Sequence, residues 1–271
     1  MKTLVIWCVL AVSPVAAWSA PLSDLQPIEA DWDQTAVLAA SLEQDLFAAA
    51  SVGDRAGEES VAPVTTLAQL KSRLAQAKAG AVIRIAINAV FDMTDEQPLL
   101  VDKPVSIVGN TAYGDPARPL FLHRGKLLPV IIISSPGVKL AGLKIEGTET
   151  DSKKKEIIEL NNQGISGVYQ FPITRGIEVN SSDVSILNCE LLGFSHAAIS
   201  LNGAKNAVVA FNTIHHNQRW GLGYGVVLSG NATALVQWNR FDFNRHSIAG
   251  TGHPGQAYEA SHNLFGKDHI D

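Results

Sequence analysis

Residues 184–206 read VSILNCELLGFSHAAISLNGAKN, 207–233 read AVVAFNTIHHNQRWGLGYGVVLSGNAT, 234–256 read ALVQWNRFDFNRHSIAGTGHPGQ, and 257–271 read AYEASHNLFGKDHID. Set one above the other, these lines share a pattern. A short alternating apolar run leads to a residue that is usually Asn, and a further apolar residue follows two places on. Ile186, Cys189 and Leu191 are echoed by Val209, Asn212 and Ile214, by Val236, Asn239 and Phe241, and by Ala260, Asn263 and Phe265. The column Cys189, Asn212, Asn239, Asn263 is spaced by 23, 27 and 24 residues. Repeats of that length, built of short strands and polar turns, predict a solenoid of stacked coils.

Three strands and three turns close a coil in such a length, and stacking pairs each strand with its equivalents above and below at about 4.8 Å. Inward Ile, Val, Leu and Phe then stack like on like. Asn at a recurring turn position can bond to the next coil's Asn and to local backbone. A βαβ fold would need helical periodicity between the strands, and none follows Gly80. A β-propeller would need a longer repeat.

Upstream, Ala81–Ile87, Pro98–Val101, Val105–Val108, Leu120–His123, Val130–Ser134 and Val138–Ile145 read as further strands. Leu143 lies 46 residues before Cys189, twice the repeat, so either one more coil or one long loop separates them. The intervening TETDSKKKEIIELNNQGISGVYQFPITR reads as an insertion projecting from a turn. Two helices are expected before the strands. One covers Gln34–Ala50. The other covers Leu67–Ala79, with Thr65 or Thr66 as N-cap, Leu67, Leu70, Leu74 and Ala77 as the apolar stripe, and Gly80 as C-cap. A helix over the end of a solenoid would protect its first rung.

Bulk properties agree with an all-β chain. Of 271 residues, 46% are hydrophobic, 17% are charged and 22 are Gly. The net charge of −5 gives no reason to expect nucleic acid. Residues 1–20 read as a secretory signal: Lys2, an apolar run from Leu4 to Val12, Pro14, then Ala16, Ala17, Ser19 and Ala20. The run is short for a membrane span, so the mature protein is expected to be secreted or periplasmic, with no membrane partner. Residues 21–63 form a helical and linker region, and 64–271 the solenoid. The chain stops partway through a coil, as a fragment would. Cys8 leaves with the signal, so Cys189 has no partner for a disulfide and is expected to be a buried core thiol.

The alternating residues followed by N-x-[IF], coil after coil, resemble the right-handed parallel β-helix proteins of the pectate-lyase-like superfamily. The opening TLAQLKSRLAQAKAGAVIRIAINAVFDM, continuing to LLVDKPVSIVGN, is similar to their usual start. The resemblance covers about residues 64–271 and implies an all-β parallel β-helix with N-terminal capping helices. It does not name a reaction, because members include lyases, hydrolases, epimerases, esterases and adhesins.

Seven residues beyond the Asn column stands a second column, His196, Arg219 and His246, with His269 one place early in the last coil. Around it in sequence lie His215, His216, Trp220, Tyr224, Arg245 and His253. Seven of the eight His fall between 196 and 269. His carries protons near neutral pH, and Arg pairs with a uronate carboxylate. The expected activity is β-elimination on an anionic, uronic-acid-containing polysaccharide. Arg219 would neutralise the carboxylate, and His246 or Tyr224 would take the proton. His196 completes the expected catalytic set. His215, His216, Trp220, Arg245, His253 and His269 are expected to bind substrate.

The alternatives are a non-catalytic solenoid that binds glycan or another surface, and a glycoside hydrolase. Hydrolysis requires paired carboxylates, whereas Glu190, Asp242, Glu259, Asp268 and Asp271 are scattered. The calcium cluster that the resemblance would bring is not evident, so no cofactor is expected, and calcium stays an open alternative without a carboxylate cluster behind it. A monomer is expected.

Overall fold

In a computed structural model, the structure describes residues 62–110, 116–125, 129–148, 159, 162–163, 173–219 and 221–266. Among the described residues, twenty strands form three sheets, and every pairing between these strands is parallel. The first sheet stacks β1 (Val82–Arg84), β4 (Ser106–Val108), β7 (Lys139–Ala141), β10 (Ser185–Leu187), β13 (Ala207–Ala210), β16 (Thr233–Gln237) and β19 (Ala257–Ser261). The second stacks β2 (Val90–Asp92), β5 (Leu120–Leu122), β8 (Lys144–Glu146), β11 (Glu190–Leu192), β14 (Thr213–His215), β17 (Arg240–Asp242) and β20 (Leu264–Phe265). The third stacks β3 (Leu99–Val101), β6 (Pro129–Ile133), β9 (Arg175–Val179), β12 (Ala197–Asn202), β15 (Tyr224–Ser229) and β18 (His246–Gly250). Neighbours in every sheet are three strands apart in sequence. The chain therefore visits each sheet once per coil, as the repeat predicts.

The core follows from the alternation. Ile107, Leu140, Ile186, Val209 and Val236 stack in the first sheet. Phe121, Ile145, Leu191, Ile214 and Phe241 stack in the second. Ile131, Ile177, Ile199 and Val226 stack in the third. All are at most 1% exposed. Each such side chain contributes about 1.5–3 kcal/mol by leaving water. A one-residue slip would turn a whole strand's set outward, so burial also fixes the register.

The Asn column is a hydrogen-bonded ladder. Asn212 Nδ2 donates to Asn239 Oδ1 at 2.9 Å, and Asn239 Nδ2 donates to Asn263 Oδ1 at 3.0 Å. The same oxygens accept the backbone N–H of the residue one coil before. Cys189, at the foot of the column, donates its backbone N–H to Asn212 Oδ1 and is 1% exposed. Burial pushes its thiol up to about 11, which suits a core thiol. A second ladder, not anticipated, stands five residues on. Asn217 Nδ2 donates to Asn244 Oδ1 at 2.8 Å, and Phe194 N–H donates to Asn217 Oδ1 at 3.0 Å.

Several expectations need correction. The single strand expected over Val138–Ile145 is two strands, β7 and β8, turned at Gly142, whose φ is +66°. A β-carbon there would meet Asn110 O at 1.9 Å, so the corner needs Gly. β2 was not anticipated. The 46 residues between Leu143 and Cys189 are one coil carrying a long connection, because Lys144 pairs directly with Glu190. The helix α1 spans Leu67–Gln76, ending before the expected Ala79, with Thr66 as N-cap in a capping box with Gln69. Its C-cap is Ala77 rather than Gly80. Leu70 and Leu74 are buried in the core. The signal segment and the helix expected over Gln34–Ala50 lie outside the described residues. Among the described residues, no helix is long and apolar enough to cross a membrane.

Candidate active site

The turn from the second sheet to the third sets the geometry. In successive coils it delivers Arg175, His196, Tyr224 and His246 to the start of the third sheet. Arg175, Ala197, Tyr224 and His246 are in register there, and His196 stands one residue before Ala197: its N–H donates to Thr174 O at 3.0 Å, its O accepts the Tyr224 N–H at 2.8 Å, and His246 N–H donates to Gly223 O at 3.2 Å. Tyr224 lies directly opposite His246. The His196 and Tyr224 rings meet edge to face with centroids 5.9 Å apart, and Tyr224 and His246 are stacked at 5.7 Å. Beneath His196, Thr174 and Ser195 bond reciprocally through their hydroxyls and backbone. Both are buried, which fixes the turn.

Arg219 does not stand in this column. The coil of 27 residues places its additional residues between Asn217 and Tyr224. That enlarges the turn and lets Tyr224 take the place expected for Arg219. Arg219 is 2% exposed within the enlarged turn. Gly223 closes the turn at φ +86°, where a β-carbon would lie 2.6 Å from Arg219 N. Arg219 is therefore not a surface receptor for a carboxylate. Its charge acts on His196 and disfavours the imidazolium.

Arg175 occupies the coil below and was missed. Its Nε donates to His196 Nδ1 at 2.9 Å, and its guanidinium also lies 3.7 Å from Glu178. Burial, then the charges of Arg175 and Arg219, hold the His196 imidazole down at about 4. His196 is therefore neutral at neutral pH. The signal for Arg175 was available: it opens a strand 21 residues before His196, close to one repeat.

The remaining expected residues are distributed. His215 lies on the outer face of the second sheet, 3.3 Å from Glu190, whose carboxyl is held at about 2, mainly by that hydrogen bond and by Lys144. His216 sits in the following turn at φ +55°, its Nδ1 2.6 Å from that of His215 and its ring stacked on Phe243 at 4.5 Å. Arg245 is half-buried beside His246, and its backbone N–H donates to Gly223 O. His253 is exposed in the turn after β18. Trp220 and His269 lie outside the described residues. Trp238, next to Asn239 in sequence, stacks between Phe211 at 6.4 Å and His262 at 4.3 Å. These rings cover one another's faces, which leaves little face for a sugar.

Among the described residues, no three His, Cys, Asp or Glu side chains converge as metal ligands. Asp242 lies 3.7 Å from Arg240, and Glu259 is on the first sheet.

Comparison with known proteins places this architecture. Residues 135–265 match the family model described as right handed beta helix region. The fold is a right-handed parallel β-helix. A crystal structure of an alginate lyase from Paenibacillus sp. strain FPU-7 superposes on the β-helix with a TM-score of 0.50, at 13% identity over 75% of each chain. That likeness is one of fold. No curated protein matches the sequence.

Proposed function

We propose that this β-helix is a polysaccharide lyase, exported by its leader, which cleaves an anionic, uronic-acid-containing polymer by β-elimination as a monomer. The observation that carries the reading is the column of His196, Tyr224 and His246, at ring spacings of 5.9 and 5.7 Å, with Arg175 and Arg219 supplying positive charge beside His196. Elimination needs a base for the C5 proton, an acid for the departing O4 and positive charge at the C6 carboxylate. The exposed His246 is the base. It takes the C5 proton, the C5–H electrons form the C4–C5 double bond, and the C4–O4 bond breaks. The Tyr224 hydroxyl gives its proton to O4, and the His246 imidazolium then returns a proton to the phenolate, directly or through solvent. Arg175 and His196 face the carboxylate.

Hydrolysis would need two carboxylates at the reacting bond, and this column of four residues holds none. The alginate lyase that shares the fold makes alginate the first polymer to try. The test is a panel of uronate polymers followed by the ultraviolet absorbance of an unsaturated uronate. A rise with one polymer, lost in His246→Ala, is expected. Binding without any rise on any polymer would replace this reading with that of a glycan-binding solenoid.

A further inference from the structure

We infer that Arg175 is a positioning residue that locks His196 in a single neutral tautomer, making His196 a fixed hydrogen-bond donor to the substrate carboxylate and not a base. A guanidinium has donors only, so the contact between Arg175 Nε and His196 Nδ1, at 2.9 Å, makes Nδ1 the acceptor. A neutral imidazole carries one N–H, which must then be on Nε2. The ring cannot accept a proton at Nδ1 without opposing that hydrogen bond, and Nε2 has no lone pair to offer. His196 therefore presents a donor at every pH at which it is neutral.

The surroundings enforce this. Arg175 from the coil below and Arg219 from the enlarged turn both bear on the imidazole, and burial disfavours its charged form as well. Glu178, 3.7 Å from the Arg175 guanidinium, accepts a hydrogen bond from Asn180 Nδ2 and pairs with the Arg. On the coil above, Tyr224 meets His196 edge to face. The base and the acid are thereby confined to His246 and Tyr224. A neutral donor backed by two cations suits an anionic group, so the same site favours uronates over neutral sugars.

What the donor is for rests on the elimination reading. The tautomer does not, and the two are tested separately. Nitrogen-15 spectra of the histidine rings in the full chain read the tautomer directly. The expected result near neutral pH is a His196 with Nε2 protonated and Nδ1 bare. In Arg175→Met that signal moves towards a mixture of tautomers and His196 titrates at higher pH. Arg175→Lys, which retains a cationic donor, restores the Nε2–H form. A His196 protonated on Nδ1, or one whose tautomer ignores Arg175→Met, overturns the inference whatever the protein's activity.

On the polymer that is cleaved, His196→Ala and His196→Gln should both raise KM by a larger factor than they lower kcat, His196→Gln less so because its amide retains a donor near the Nε2 position. Loss of a general base costs about 10²–10⁴-fold. A loss of that size in the kcat of His196→Gln, with KM unchanged and the fold intact, would assign His196 as the base and overturn the role proposed for it.

Discussion

The Asn ladder makes a quantitative prediction for Asn239→Ala. Asn239 is 1% exposed. Its Oδ1 accepts from the Asn212 backbone at 3.0 Å and from Asn212 Nδ2 at 2.9 Å, and its Nδ2 donates to Val209 O at 2.8 Å and to Asn263 Oδ1 at 3.0 Å. Truncation strips the buried Asn212 backbone N–H of its acceptor. It also removes an acceptor from Asn212 Nδ2, whose other bond goes to Ile186 O, and a donor from Val209 O. Each buried polar group left without a partner costs about 1–3 kcal/mol, so the substitution should cost about 3–6 kcal/mol after some relaxation. That is a large share of the ~5–15 kcal/mol that stabilises a typical domain. Asn263→Ala is the internal control. Asn263 plays the same role one coil on, accepting from Asn239 and donating to Val236 O at 2.8 Å, but it is only partly buried. Water can replace its bonds, so its loss should cost about 1–2 kcal/mol. Equilibrium unfolding in urea measures both through the midpoint at constant m. Equal costs for the two substitutions, or a cost below about 1 kcal/mol for Asn239→Ala, would show that the ladder is not held by buried hydrogen bonding.

Further outcomes follow from the site and the core. Gly223→Ala forces a β-carbon into the backbone of the enlarged turn at positive φ, so activity on a cleaved polymer should fall along with thermal stability, by about 1–3 kcal/mol; an unchanged kcat would separate that turn from the site. The folded-state value of about 4 for His196 lies below the ordinary 6.5, so the unfolded chain binds its proton first. Its contribution to stability is complete above pH 6.5 and is lost as pH falls towards 4. Unfolding curves for His196→Gln should lack that part of the pH dependence. Glu190, lowered from 4.5 to about 2, contributes stability that is complete above 4.5 and lost as pH falls towards 2; Glu190→Gln should flatten that window. Buried Cys189 should react with a thiol reagent only as fast as the protein opens, a rate that denaturant should accelerate.

The sequence made the architecture readable because a solenoid writes its fold as a period. Inward Ile, Val and Leu recur at coil spacing, and Asn212, Asn239 and Asn263 mark one corner. The second ladder was equally readable, since Asn217 and Asn244 each follow a first-ladder Asn by five residues. The site was less legible because it sits where coil length varies. Counting seven residues from each Asn selects Arg219, but the longer turn of that coil shifts the register and brings Tyr224 beside His196 and His246. His215 and His216 are close to the site in sequence, yet one belongs to the second sheet and the other to the turn beyond it. Arg175 was legible only by counting back 21 residues from His196, because the long connection before β9 breaks the count from the preceding coil. Counting from the ladder finds stacked residues only where no coil has inserted residues between the ladder and the position counted to.

The most direct test of the proposed chemistry is the mass of the oligosaccharides released from a cleaved uronate polymer. Elimination adds no water across the broken bond, so each new non-reducing end should be lighter by one water than a hydrolysis product and should carry a C4–C5 double bond. Products with that mass from the wild type, and none from His246→Ala, are the predicted result. Products carrying the added water would contradict elimination, and with it the roles assigned to Tyr224 and His246.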